Sequence, residues 1–192
     1  LWYNTADVYY FIKNMEEKII IAGFGGQGIL FLGKLICQAG METGFNVTYF
    51  PSYGAEVRGG TANCNVILSD KDIASPVIET ADTLLAMNEL SLVKFESMLN
   101  PGGLLLLNSS LIKVAPKRRD VNIKSIPASN IAYDLGNTKA ANIVMLGLYS
   151  KERSLLDNDK IMKNIKGPLA DLNIKAFNFG CNFESNQERI LI

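Results

Sequence analysis

The sixteen residues from Ile19 to Lys34, IIIAGFGGQGILFLGK, limit the possible architecture more than any others in the chain. Lys18–Ala22 is a β-branched run suited to a strand buried on both faces. Four glycines follow within six residues. Leu30, Leu35, Ile36, Ala39 and Met41 are then spaced for a buried helix over about Gln27–Thr43, with Gly44 placed to cap its end. A strand, a tight turn and a covering helix are the opening unit of a layered α/β fold.

The remaining pattern extends that unit. Strands are predicted at Asn46–Phe50, Ala62–Leu68, Thr83–Met87, Leu104–Asn108 and Val121–Ile126. Ala62, Cys64, Val66 and Leu68 alternate with polar residues, which leaves room for one antiparallel member. Helices are predicted at about Glu89–Leu99, capped by Asn88, and at Asn130–Leu135, Lys139–Lys151, Asp159–Lys166 and Leu169–Phe179. Asn100-Pro101-Gly102-Gly103 reads as a turn. The expected fold is a Rossmann-like three-layer sandwich with a mainly parallel sheet. A chain of 192 residues suits one domain, taken as 15–192. Residues 1–14 read as a leader or start-site extension ahead of MEEK, without the features of a secretory signal.

Gly23-Phe24-Gly25-Gly26-Gln27-Gly28 satisfies G-x-G-x-x-G between a strand and a helix, the context that gives the pattern meaning. A dinucleotide site also asks for an acid at the end of the second strand, where this chain has Tyr49-Phe50-Pro51-Ser52. The failed second half weighs against NAD(P). Two uses of the turn stay open: close packing of helix on sheet, or a partner's backbone or another ligand's phosphate resting on its amides. A second constellation, Ser52-Tyr53-Gly54-Ala55-Glu56-Val57-Arg58-Gly59-Gly60-Thr61, leaves the same rim of a Rossmann-like sheet. Its glycines cost backbone entropy to order, and its guanidinium suits a phosphate or carboxylate. A solvated connecting loop is the plainer reading.

Composition removes several functions. The chain has no histidine, hence no imidazole base or metal ligand, and its three cysteines, Cys37, Cys64 and Cys181, form no CxxC pair. Scattered thiols suit a reducing cytoplasm. Lysine plus arginine equals aspartate plus glutamate at 19 each, without the basic excess of a nucleic-acid binder. No apolar run approaches the ~20 residues of a membrane span. Cys64 and Met87, Met98, Met145 and Met162 read as packing residues, and Asn142 as a structural bond from a helix start to a loop. Asp82 and Glu89 bracket a strand near the rim.

With these residues in view, the chain resembles the gamma subunit of 2-oxoacid:ferredoxin oxidoreductases. GFGGQGI at Gly23–Ile29 and SYGAEVRGGTAN at Ser52–Asn63 carry the resemblance together. SPVIETADTLLAMNE at Ser75–Glu89, PGGLLLLNSSL at Pro101–Leu111 and NIVMLGLYSK at Asn142–Lys151 agree with it, over roughly Met15–Phe179. YGAEVRGG is similar to the 2-oxoglutarate and branched-chain types, of which 2-oxoglutarate is the expected one, and the related indolepyruvate enzymes carry a similar domain; pyruvate enzymes tend to carry a G-P-E-R-R-G-A type of loop. The resemblance implies a complex that decarboxylates a 2-oxoacid oxidatively, passes the acyl group to coenzyme A and reduces ferredoxin. It implies sister alpha and beta subunits holding thiamine diphosphate and magnesium, and a ferredoxin-like subunit holding iron–sulfur clusters. No cofactor is then expected on this chain alone, and a homodimer in isolation is expected. The expected ligand- or partner-facing residues are Gly23, Gly25, Gly26, Gln27, Gly28, Tyr53, Gly54, Glu56, Arg58, Gly59, Gly60 and Thr61.

Overall fold

The structure, a computed structural model, describes residues 15–52 and 61–184. The first strand, β1 (Glu16–Phe24), buries Ile19, Ile20, Ile21 and Ala22 to within about a percent, as a β-branched run covered on both faces requires. Five further strands complete the sheet: β2 (Asn46–Ser52), β3 (Thr61–Ser69), β4 (Ala81–Ala86), β5 (Leu99–Asn108) and β6 (Asn122–Ile126). Their order is β2-β3-β1-β4-β5-β6. β1, β4, β5 and β6 pair in parallel, while β3 runs antiparallel to both β1 and β2. The alternation at Ala62–Leu68 therefore belongs to the antiparallel member, and the α/β fold expected from the sequence is present.

Helix α1 (Ile29–Thr43) follows the glycine turn and ends on Gly44 in the left-handed conformation, φ 104°. The others are α2 (Glu89–Phe95), α3 (Ala128–Asp134), α4 (Ala141–Arg153), α5 (Asn158–Asn164) and α6 (Ala170–Asn182). Odd and even positions of β1 separate two cores. Ile19 and Ile21 join Leu32, Ile36, Val144, Leu148 and Phe177 beneath α1, α4, α5 and α6. Ile20 and Ala22 join Leu84, Leu92, Phe95 and Leu105 beneath α2. Ala128, Ile131 and Ala132 of α3 join the first core, so among the described residues five helices cover one face and the short α2 lies on the other. Helices α4 and α6 meet backbone to backbone. A Cβ on Gly147 would strike the Phe177 carbonyl oxygen, and one on Gly180 the Val144 carbonyl oxygen.

Two expectations shift. Asn100–Gly103 does not separate a helix from a strand; it is a bulge inside β5, where Leu99 pairs with Ala81 and Leu104 with Thr83. Asn100 Nδ2 donates to Asp82 Oδ1 at 2.8 Å and Gly102 N to the Asp120 carbonyl at 2.7 Å, so the excursion is bonded on both sides. The helix after Asn88 stops at Phe95 and tightens into a 3₁₀ turn at Glu96–Met98.

At the N-terminal rim of the sheet, Glu17 is 5% exposed and bonds Arg153 Nε at 2.9 Å and Thr83 Oγ1 at 2.6 Å. Burial raises the Glu17 carboxyl above its ordinary value; Arg153 and Thr83 pull it partly back and Asp82 adds to the rise. Asp82 accepts from Lys18 N at 2.9 Å, which places it on this rim, at the end of β4 away from the glycine turn.

Candidate functional site

The C-terminal rim gathers the glycine turn, the ends of β2, β4 and β5, and the first residue of β3. From β1 the chain crosses through α1 towards β2, and from β4 through α2 towards β5. The crevice between β1 and β4 is therefore the topological switch point, the usual ligand position in open α/β sheets.

In this protein the crevice is bridged by its own side chains. Gln27 folds back so that Oε1 accepts from Phe24 N at 2.7 Å and from Asn88 Nδ2 at 3.1 Å. Asn88 Oδ1 in turn accepts from Ser91 N at 2.9 Å and caps α2, as its place before the helix predicted. Asn142 Nδ2 donates to the Gly28 carbonyl at 3.1 Å, the bond from a helix start to a loop expected of it. Asn108 Nδ2 donates to Ser129 Oγ at 2.9 Å. Asn88, Asn108 and Asn142 are all buried, so these amides hold the rim without any charge.

The glycines take their meaning from the same contacts. A Cβ on Gly23 would lie 2.6 Å from Ile29 Cδ1 and 2.7 Å from Gln27 Oε1. Gly28, with φ 72°, would drive a Cβ into Asn142 Nδ2. Two of the pattern's three glycines thus make room for side chains of this chain, the close-packing use of the turn. Gly26, φ 89°, faces open space instead. Beside it lies a cleft of about 340 Å³ bordered by Phe24, Gly25, Gly26, Ile29, Phe31 and Ser52. No charged side chain borders it among the described residues. The acid that a ribose needs is absent from Ser52, and the lining is apolar, so the described part of the rim does not fit a dinucleotide.

Thr61 is buried and pairs with Phe24, while Ser52 pairs with Asn63. Both ends of the second constellation therefore enter the rim beside the glycine turn. Tyr53, Gly54, Glu56, Arg58, Gly59 and Gly60 lie outside the described residues. Glu89 accepts from Lys113 N at 3.0 Å, which ties the start of α2 to the connection that follows β5.

The sulfur chemistry is quiet. Cys64 donates to the Ile29 carbonyl at 3.5 Å, and burial pushes its thiol and that of Cys37 up to about 12. Among the described residues no three histidine, cysteine, aspartate or glutamate side chains gather to hold a metal ion. The Gln27–Asn88 bridge was not foreseen: sixty-one positions separate the partners, and no spacing rule links them.

Comparison with known proteins assigns this arrangement to a family. Residues 18–183 match the family model described as pyruvate ferredoxin/flavodoxin oxidoreductase, and the chain belongs to that family. The ketoisovalerate oxidoreductase subunit VorA of Methanothermobacter marburgensis is 33% identical over 175 residues, covering 88% of this chain and 36% of its own. The chain thus spans about a third of the length of that relative. The 2-oxoglutarate synthase subunit KorC of the same organism is 29% identical over 177 residues, covering 86% of this chain and 95% of its own. The crystal structure of a keto/oxoacid ferredoxin oxidoreductase gamma subunit from Geobacter sulfurreducens PCA superposes with a TM-score of 0.76 at 29% identity. That match covers 85% of this chain and 95% of the other. Within the family, this chain is therefore of the gamma-subunit type.

Proposed function

We propose that the chain is the gamma subunit of a 2-oxoacid:ferredoxin oxidoreductase that converts 2-oxoglutarate, coenzyme A and oxidised ferredoxin to acyl-CoA, carbon dioxide and reduced ferredoxin. Residues 15–192 act as one gamma-type domain in the cytoplasm. Sister alpha and beta subunits hold thiamine diphosphate and magnesium, and a ferredoxin-like subunit holds the clusters. Thiamine diphosphate supplies the carbanion chemistry of decarboxylation; this chain supplies orientation and electrostatics around it.

The observation that carries this reading is the filled glycine turn. Gln27, Ile29 and Asn142 occupy its inner side, while Gly26 and the adjoining cleft remain open outward. Such a turn presents backbone to a neighbour; it does not enclose a cofactor of its own. In the proposed complex, Gly25–Gly28 and Tyr53–Thr61 face the sister subunits near the coenzyme A access route. Arg58 attracts a phosphate or carboxylate, and Glu56 orients Arg58 or bridges to a partner.

A branched-chain 2-oxoacid is the second reading for the substrate, favoured by the identity to the ketoisovalerate subunit, 33% against 29% for the 2-oxoglutarate subunit. Co-expression with the sister subunits followed by ferredoxin reduction on a panel of 2-oxoacids tests both. Preference for 2-oxoglutarate supports the first reading, preference for 2-oxoisovalerate the second, and no reduction with any 2-oxoacid overturns both. In the active complex, Arg58→Ala is expected to lower turnover or raise the coenzyme A requirement about tenfold, the size of one lost charged contact. Unchanged kinetics in an intact assembly would remove Arg58 from the site.

A further inference from the structure

The sheet face opposite α1 carries a second surface with a different character. Helix α2 exposes Leu90 and Val93, one turn apart, and the connection between β5 and β6 exposes Leu111 and Val114. The two segments are tied side by side. Glu89 Oε1 accepts from Lys113 N at 3.0 Å, Glu96 Oε2 accepts from Lys117 N at 2.9 Å, and Arg118 Nη1 donates to the Leu99 carbonyl at 2.8 Å. Asp120 is gripped by Arg118 through two bonds of 2.6 and 2.7 Å.

The sign of the surface follows from its charges: residues 86–121 carry five cations, Lys94, Lys113, Lys117, Arg118 and Arg119, against three carboxylates, Glu89, Glu96 and Asp120. Lys113, Lys117 and Arg119 remain exposed and form no ion pair among the described residues. In a chain with no net charge overall, one face therefore sets an apolar centre beside a cationic border. Exposed apolar side chains rimmed by charge are the anatomy of a protein interface.

We infer that this face docks a sister subunit of the same complex through a surface apolar at its centre and acidic at its border. The inference rests on the proposed function and extends it from the glycine rim to a second contact. A second copy of this chain is a poor occupant, because a two-fold contact would set the cations against one another. Nucleic acid would gain from the cations but not from Leu90, Val93, Leu111 and Val114. Helix α2, with seven residues, is far shorter than a helix that binds in a membrane interface.

The test follows association of the full-length chain with its purified sister subunits, at low and at high salt. For the native chain, the association rate is expected to fall as salt rises. Lys113→Glu, Lys117→Glu and Arg119→Glu together should slow association at low salt about tenfold or more and flatten the salt dependence. Lys113→Arg, Lys117→Arg and Arg119→Lys together should restore both, which separates charge from folding. Leu90→Ser with Val93→Ser should speed dissociation instead. Native affinity and salt slope in the charge-reversed chain would overturn the inference while leaving the proposed function standing. So would charge-dependent binding to phosphatidylglycerol vesicles or duplex DNA with no effect on subunit assembly. Failure of the native chain to associate with any sister subunit would sink the proposed function and this inference together.

Discussion

The two ends of the sheet are held by opposite means. At the N-terminal rim a buried carboxylate, Glu17, is locked by Arg153 and Thr83, with Asp82 close by. At the C-terminal rim the work is done by neutral amides: Gln27 to Asn88, Asn142 to Gly28, and Asn108 to Ser129. A buried ion pair changes character when either partner titrates, whereas an amide network does not. Under the proposed function, the rim that meets phosphates, carboxylates and other polypeptides is built from groups whose charge never changes. The difference fits the charged end to holding the fold and the neutral end to the proposed site.

The largest effect expected from this contrast comes from Arg153→Met. It strands Glu17 without a counter-charge and should destabilise the chain by about 2–3 kcal/mol near neutral pH, below the fully buried range because Arg153 keeps 25% of its side chain exposed. Glu17 is raised in the folded state. Its contribution is thus fully present below the unfolded value near 4.5 and is lost as pH rises through the folded value. The deficit of Arg153→Met should accordingly shrink as acid neutralises Glu17, and Glu17→Gln should flatten this part of the stability profile. Denaturant melts across pH measure both.

Gln27→Ala comes next. It leaves Phe24 N–H and the Asn88 amide without their acceptor and should cost about 1–2 kcal/mol, equally at acidic and alkaline pH. A loss that varied with pH would break the contrast between the two rims. The smallest effect is kinetic. Cys181, partly exposed and raised only to about 11, should react with a thiol reagent first, and Cys37 and Cys64 only when the fold opens. Since Cys64 bonds the Ile29 carbonyl beneath the turn, its labelling should speed up in Gln27→Ala.

The parts legible in the sequence were those with a local physical signal. Ile19–Ala22 announced a central strand, alternation at Ala62–Leu68 an antiparallel one, and Asn88 a helix cap. The bulge at Asn100–Gly103 was misplaced because a turn signal looks the same inside a strand as between elements; only the Asp82 and Asp120 bonds tell them apart. The Glu17–Arg153 pair and the bonds that Glu89 and the buried Glu96 accept were invisible, since they depend on partners brought together by the topology. At the candidate site, the pattern Gly23–Gly28 was readable but its use was not. Whether glycine leaves room for a ligand or for Gln27 and Asn142 is a question of packing alone.

Titrating NAD, NADP and ATP into the purified full-length chain, beside ferredoxin reduction by the same chain assembled with its sister subunits, tests the central claim most directly. The account predicts no saturable nucleotide binding and no turnover by the chain alone, and 2-oxoacid-dependent ferredoxin reduction only in the assembly. Tight binding of a dinucleotide to the isolated chain, competed by substitution of Gly26 with a larger residue, would contradict it.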